Sequence, residues 1–291
     1  MTLPKITQEM VRLYDDYTHL TLDRRGFMDK LARLAGSGVL AAAIAPMLAA
    51  DPARAAQVPP EDLRLKTERV TWPGAGGATM SGYLVSRADI AGKFPAVMVI
   101  HENRGLNPHI EDVARRVALD GFLALAVDFL SPAGGTPGDE DAARDMIGKL
   151  DQDALVANAV ATVDYLKAHP LSTGKVGAVG FCWGSGLVNR LAVADPDLAA
   201  GVAYYGRQPK EGIDKIKARL LLHYAGLDES VNAGIKDYEA ALKAAGVDYQ
   251  LFIYDGANHA FNNDTSAARY DKVAAELAWS RTVAFLRESL A

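Results

Sequence analysis

From about residue 60 onward, short apolar runs alternate with stretches whose apolar residues recur every three or four positions. The runs are RVTWP, TMSGYLVSR, PAVMVIH, FLALAVDF, KVGAVGF, AAGVAYYG, RLLLHYAG and YQLFIYDG. They are rich in β-branched and aromatic residues, and continuous runs of this kind suit strands buried on both faces of a parallel sheet. The first two, joined by the glycine-rich PGAGGA, predict an N-terminal antiparallel hairpin. Helical stretches lie between the others: IEDVARRVALDG, QDALVANAVATVDYLKAHP, SGLVNRLAVAD, AGIKDYEAALKAAG and a long C-terminal AARYDKVAAELAWSRTVAFLRESL. Val113, Val117 and Leu119, like Leu155, Val160, Val163 and Leu166, keep roughly the spacing that covers one face of a sheet. Residues 57–291 therefore read as one α/β domain, a mostly parallel doubly wound sheet with helices on both faces. Ligands of such sheets bind at the carboxyl ends of the strands, so chemistry is sought just after each apolar run.

The first 56 residues break this pattern. Asp23-Arg24-Arg25-Gly26-Phe27-Met28-Asp29-Lys30 is followed by the uncharged run GSGVLAAAIAPMLAA, too short to span a bilayer comfortably, and then by ADPARAAQVPPED. A paired arginine before Phe, an apolar run and a small-residue site at Ala53-Arg54-Ala55 predict a twin-arginine export signal. The mature chain would then begin near Ala56 or Gln57, in the periplasm or beyond, with no stable membrane insertion once the signal is removed. Asp15, Asp16 and Asp23 are unlike a short positive n-region, however. The alternative is a cytoplasmic protein that keeps TQEMVRLYDDYTHL, residues 7–20, as an amphipathic N-terminal arm.

Charge and cysteine usage narrow the function. The 291-residue chain has a formal net charge of −5 with its Lys and Arg scattered, which excludes a nucleic-acid binder. A single cysteine excludes an intramolecular disulfide framework and any Cys-rich zinc site, and no cofactor or metal is expected. That thiol must be explained by packing or by reactivity.

Its setting is VGAVGFCWGSG, residues 176–186, where an apolar strand runs into Gly180-Phe181-Cys182-Trp183-Gly184 and a helix follows. A lone cysteine is most often a small buried hydrophobe. Packing alone, however, requires neither flanking glycine. G-x-C-x-G between a strand and a helix is the cysteine counterpart of the nucleophile elbow, whose turn is strained and whose strand and helix approach too closely for side chains. The helix N-terminus beyond it favours a thiolate. An elbow nucleophile needs a base and an acid later in the chain, in that order. Asp228 follows RLLLHYAG and His259 follows YQLFIYDG. Asp255, in a tight Asp-Gly turn, competes with Asp228 for the acid role. His19 falls in the leader, His169 at a helix end and His223 within a strand, while His101 and His109 lack metal-ligand spacing. The loop after PAVMVIH, Glu102-Asn103-Arg104-Gly105, is placed to supply the second oxyanion-hole donor. The backbone amides of Asn103 and Trp183 are the two candidates.

HENRG, GFCWG, YYGRQ, LDES and NHAF, taken together over roughly residues 65–289, resemble the dienelactone hydrolase (carboxymethylenebutenolidase) family of the α/β-hydrolase fold. The resemblance implies a Cys182-Asp228-His259 triad that cleaves a small-molecule lactone or ester through a thioester acyl-enzyme. It also implies that Glu102 hydrogen-bonds the resting cysteine and takes its proton when substrate enters. Family members that act on dienelactone hold its carboxylate with two arginines. The corresponding loops here, DFLSPAGG and FNND, contain none, so dienelactone is not the expected preferred substrate. Arg104 and Arg207, also at strand ends, are candidates for a relocated clamp or for bracing the loops. Two other readings stay open: a thiol-redox or peroxide-sensing protein, disfavoured because no resolving cysteine exists, and a non-catalytic ligand-binding scaffold.

Overall fold

The computed structural model describes residues 5–19, 21–49, 51 and 57–291; the cleavage site expected at Ala53-Arg54-Ala55 and a start at Ala56 lie outside the described residues. All eight apolar runs are strands: β1 (Leu65–Pro73), β2 (Thr79–Arg87), β3 (Phe94–Ile100), β4 (Leu123–Asp128), β5 (Ser172–Phe181), β6 (Ala200–Tyr204), β7 (Arg219–Ala225) and β8 (Tyr249–Tyr254). They form one sheet in the order β1-β2-β4-β3-β5-β6-β7-β8. The β1–β2 and β2–β4 pairs are antiparallel and every other pair is parallel, as the hairpin and the strand-helix alternation require.

Successive residues of the central strands point to opposite faces and enter two separate apolar clusters. Val97, Val99, Ala124 and Ala126 pack under α4 (Pro108–Leu119) and α10 (Lys272–Ser289). Met98, Ile100, Leu123 and Leu125 pack under α6 (Gln152–Ala168), α7 (Trp183–Ala194) and α9 (Ile235–Ala245). With both faces covered, the strands have no polar side to show, which is why they read as continuous apolar runs. Truncating a fully buried side chain such as Leu125 to Ala would cost roughly 2–5 kcal/mol.

Three features depart from the pattern-based reading. A helix, α5 (Glu140–Ile147), follows β4, started by Asp139, whose carboxylate accepts from the N–H groups of Asp141 and Ala142. The C-terminal helix begins at Lys272 rather than among the preceding alanines, because Asp271 caps it at Ala274 N. The third departure is the N-terminal region. Residues 8–48 fold as α1 (Gln8–Thr18), α2 (Arg24–Ala35) and α3 (Gly38–Leu48), with a small apolar cluster built from Met10, Leu13, Tyr14, Phe27, Leu31 and Ile44. No single helix among the described residues is long and apolar enough to cross a membrane. These helices lie over the carboxyl ends of the strands, as the contacts below show.

Candidate active site

Cys182 stands between β5 and α7 with φ 53° and ψ −115°, outside the regions L-residues ordinarily adopt. The flanking glycines make that turn possible. A Cβ on Gly180 would lie 2.5 Å from Gly184 O, and one on Gly184 would lie 2.6 Å from Ile100 O on the neighbouring strand. Two further non-glycine residues with positive φ, Tyr205 (43°) and Ala260 (62°), sit in the loops after β6 and β8. Left-handed strain in the described residues outside glycine is thus confined to the strand ends around Cys182.

Asp228 and His259 arrive on the loops after β7 and β8. The His259 Nδ1–H donates to Asp228 Oδ2 at 2.6 Å, and the other carboxylate oxygen caps α8 (Glu229–Asn232) by accepting from Val231 N at 3.1 Å. Both oxygens of Asp228 are thereby fixed. Asp255 is exposed in its turn and is not the partner of His259. The second ring nitrogen of His259, Nε2, is buried without a hydrogen bond among the described residues. One ring nitrogen of His259, one of His19 and Cys182 Sγ all lie within 4.8 Å of one another.

Sequence reasoning placed His19 in a leader, yet its Nε2 is 3.6 Å from Cys182 Sγ and its ring stands edge-on to His259 with centroids 4.5 Å apart. The only signal available was the amphipathic stretch 7–20 in which it lies; nothing in the sequence points a residue 163 positions away at the elbow. Burial alone would push the Cys182 thiol up, but the charge of His259 and the hydrogen bond and charge of His19 outweigh it and bring the thiol down to about 6. Burial works against a charged His259 too, and there the Cys182 thiolate and Asp228 prevail, holding the imidazole well above its ordinary value. The set favours a thiolate-imidazolium pair near neutral pH.

Trp183 is the first residue of α7, where a main-chain N–H has no intrahelical acceptor. Asn103 follows β3, and its side-chain amide donates to Thr18 O of α1, tying the loop that carries it to the N-terminal helices. His101 is buried, its ring stacked 5.2 Å from Trp183, and His223 is a satisfied core histidine between Tyr254 and Thr282, pushed down to about 3 by burial and Arg281.

One expectation is corrected, and one choice left open between a clamp and a brace is decided. Glu102 does not hydrogen-bond the resting thiol: its carboxylate accepts from Asn263 Nδ2 at 2.8 Å, while the sulfur faces His19 and His259. Arg104 is not free for a substrate. Its guanidinium donates to Glu140 O at 3.0 Å and Asp141 Oδ1 at 3.1 Å and reaches Tyr14 Oη at 3.5 Å, so it braces α5 against α1. Arg207 is bonded to Ser230 at 3.2 Å and lines a cleft of about 430 Å³ together with His19, Cys182, Trp183 and Tyr205. The cleft gives a small organic molecule access to the sulfur.

Residues 80–290 match the model of the dienelactone hydrolase family, and residues 1–37 match a separate model described as YqhI-like. A protein of Saccharolobus solfataricus named "Putative carboxymethylenebutenolidase" is 34% identical over 231 residues, covering 66% of this chain and 88% of that protein. The hydrolase fragment YghX of Escherichia coli is 51% identical over 100 residues, which is 34% of this chain and 86% of the fragment. Among solved structures, a dienelactone hydrolase-like promiscuous phosphotriesterase, P91, from metagenomic libraries superposes with a TM-score of 0.70 at 26% identity, covering 78% of this chain and all of its own.

Proposed function

Because the chain belongs to the dienelactone hydrolase family and is a hydrolase of lactone or ester substrates, we propose that it works through Cys182 as nucleophile, His259 as base and Asp228 as orienting acid. The observation that carries this reading is the convergence at one strained elbow: a thiol outside ordinary backbone geometry, a buried imidazole with a bare Nε2, and a carboxylate fixed at 2.6 Å behind it.

In this mechanism His259 Nε2 holds the proton taken from the Cys182 thiol, and the thiolate sulfur attacks the carbonyl carbon. The carbonyl π pair moves to oxygen, where the N–H groups of Trp183 and Asn103 stabilise it; one such donor contributes on the order of 3 kcal/mol. Collapse breaks the C–O bond, and the leaving alkoxide takes the proton from His259. In a lactone that alkoxide stays tethered to the acyl group. Water then gives a proton to His259 as its oxygen attacks the thioester. The second collapse releases the acid and returns the proton to sulfur.

The missing loop arginines and the engaged Arg104 favour neutral esters and lactones over a carboxylate-bearing dienelactone. Two absent charge-assisted hydrogen bonds, about 1.5–3 kcal/mol each, correspond to a hundredfold or more in selection. The test is turnover of p-nitrophenyl acetate by the wild type, Cys182→Ala and His259→Ala, with kcat/KM for dienelactone measured alongside. Burst and turnover lost in both variants is the expected result, and full activity in Cys182→Ala refutes the nucleophile. A redox sensor or a mute scaffold would show no turnover at all.

A further inference from the structure

We propose that the N-terminal helices are a retained cap of the working enzyme rather than a discarded leader, and that His19 is a catalytic residue whose Nε2 hydrogen-bonds the Cys182 sulfur. This inference rests on Cys182 being the nucleophile.

The cap is joined to the catalytic face by specific polar contacts. Asp15 pairs with Arg269 at 3.3 Å, and both side chains are largely buried. Tyr17 Oη and Arg24 Nη1 each reach a different oxygen of Asp141 at 2.5 Å. The guanidinium of Arg144 lies 4.2 Å over the Tyr17 ring, that of Arg269 5.0 Å over the Tyr14 ring. The Asp51 N–H donates to Thr265 O at 2.8 Å, closing the segment back onto the domain beyond α3. Arg24, the first of the paired arginines read as an export signal, is thus the first residue of a helix and the partner of a carboxylate on α5. Removing residues 1–56 would take from Arg269 both its ion-pair partner, Asp15, and the Tyr14 ring on which its guanidinium rests. The separate match over residues 1–37 spans α1, His19 and α2.

The cap ends its first helix at Thr18, whose carbonyl accepts from Asn103, and the next residue meets the sulfur. With Glu102 engaged by Asn263, His19 occupies the place beside the thiol that an accessory hydrogen-bonding group requires. An N–H at His19 Nε2 donates to the thiolate, holding it between two rings before substrate enters, while the proton taken from the thiol is the one that His259 passes to the leaving group. Other charged or titratable groups near the sulfur are Tyr205, Arg269 and Glu102 from the domain, Asp228 behind His259, and Asp15 on the cap.

The test uses the full chain, whose single cysteine makes alkylation by iodoacetamide a report on Cys182 alone. His19→Ala is expected to lower kcat/KM for p-nitrophenyl acetate by about ten- to a hundredfold, the worth of one hydrogen bond to a charged group. It should also move the alkylation midpoint to higher pH, and His19→Gln, which still donates, should recover part of both. Chain purified from its native host should still carry α1, α2 and α3, and a chain lacking residues 1–56 should turn over no faster than His19→Ala. Unchanged turnover and an unchanged alkylation profile in His19→Ala, with Cys182→Ala inactive, overturn the proposal while leaving the nucleophile intact. So does a native chain beginning at Ala56 or Gln57, or a truncated chain at least as active as the whole. An active Cys182→Ala instead removes the reading on which the proposal stands.

Discussion

The sheet and the cap are held by different forces. Residues buried on the sheet are mostly apolar on both faces and close into two clusters. The cap has an apolar cluster of its own, touching the domain chiefly at the partly buried Ala268, and docks through charge pairs, hydrogen bonds and guanidinium-ring stacking. Burial by area is robust to any single change away from a cavity, whereas a polar dock depends on a few atoms. The contrast teaches that Cys182, His259 and Asp228 share the stability of the sheet, while His19 is held by a separately anchored part.

The largest break in that comparison is on the sheet side. Cys182→Ala and His259→Ala should each lower esterase turnover by about 10⁴-fold or more, and the double variant should cost little further, because such residues act as a unit. Steady-state kinetics on all three proteins checks this, and additive losses would contradict it. Asp228→Asn should cost less, roughly a hundredfold or more, by releasing the imidazole from its tautomer and orientation. Its pH profile should shift as well: Asp228 and the thiolate both favour the protonated His259, so without the carboxylate the imidazolium is lost at lower pH. On the cap side, Asp15→Asn leaves Arg269 buried without a charge partner and should weaken docking by about 3 kcal/mol. Limited proteolysis should then cut within residues 1–56 faster while the melting temperature of the sheet domain stays unchanged. Turnover should fall toward that of His19→Ala, and a chain that melts earlier as a whole would mean cap and sheet are one cooperative unit. The smallest effect is expected of Asp255→Asn, an exposed turn residue whose loss should leave kcat/KM within twofold.

Legibility in the sequence followed the same division. The strands are readable because burial on both faces leaves continuous apolar runs, and the elbow because its close approach admits only glycine at Gly180 and Gly184. Cys182, Asp228 and His259 are readable as a set because each ends a strand on the same sheet edge and their order is fixed by topology. Glu102 was misassigned because its partner, Asn263, is 161 positions away and carries no pattern. Arg104 and Arg207 look alike on paper, and only the packing of α5 and α1 tells a brace from a residue facing the cleft. His19 was missed for a sharper reason. Paired arginines before an alanine-rich run suit an export signal and a short helical hairpin equally, since both need an apolar segment of about this length.

The backbone around the thiol has a thermal consequence. Cys182, Tyr205 and Ala260 all hold conformations that disfavour side chains, each by about 1 kcal/mol or more. Their sum is a sizeable share of the roughly 5–15 kcal/mol that separates a folded domain from its unfolded chain. The catalytic edge is therefore where heat resistance has been given up, and Ala260→Gly, which relaxes one of the three without touching the sulfur, is the place to look for it.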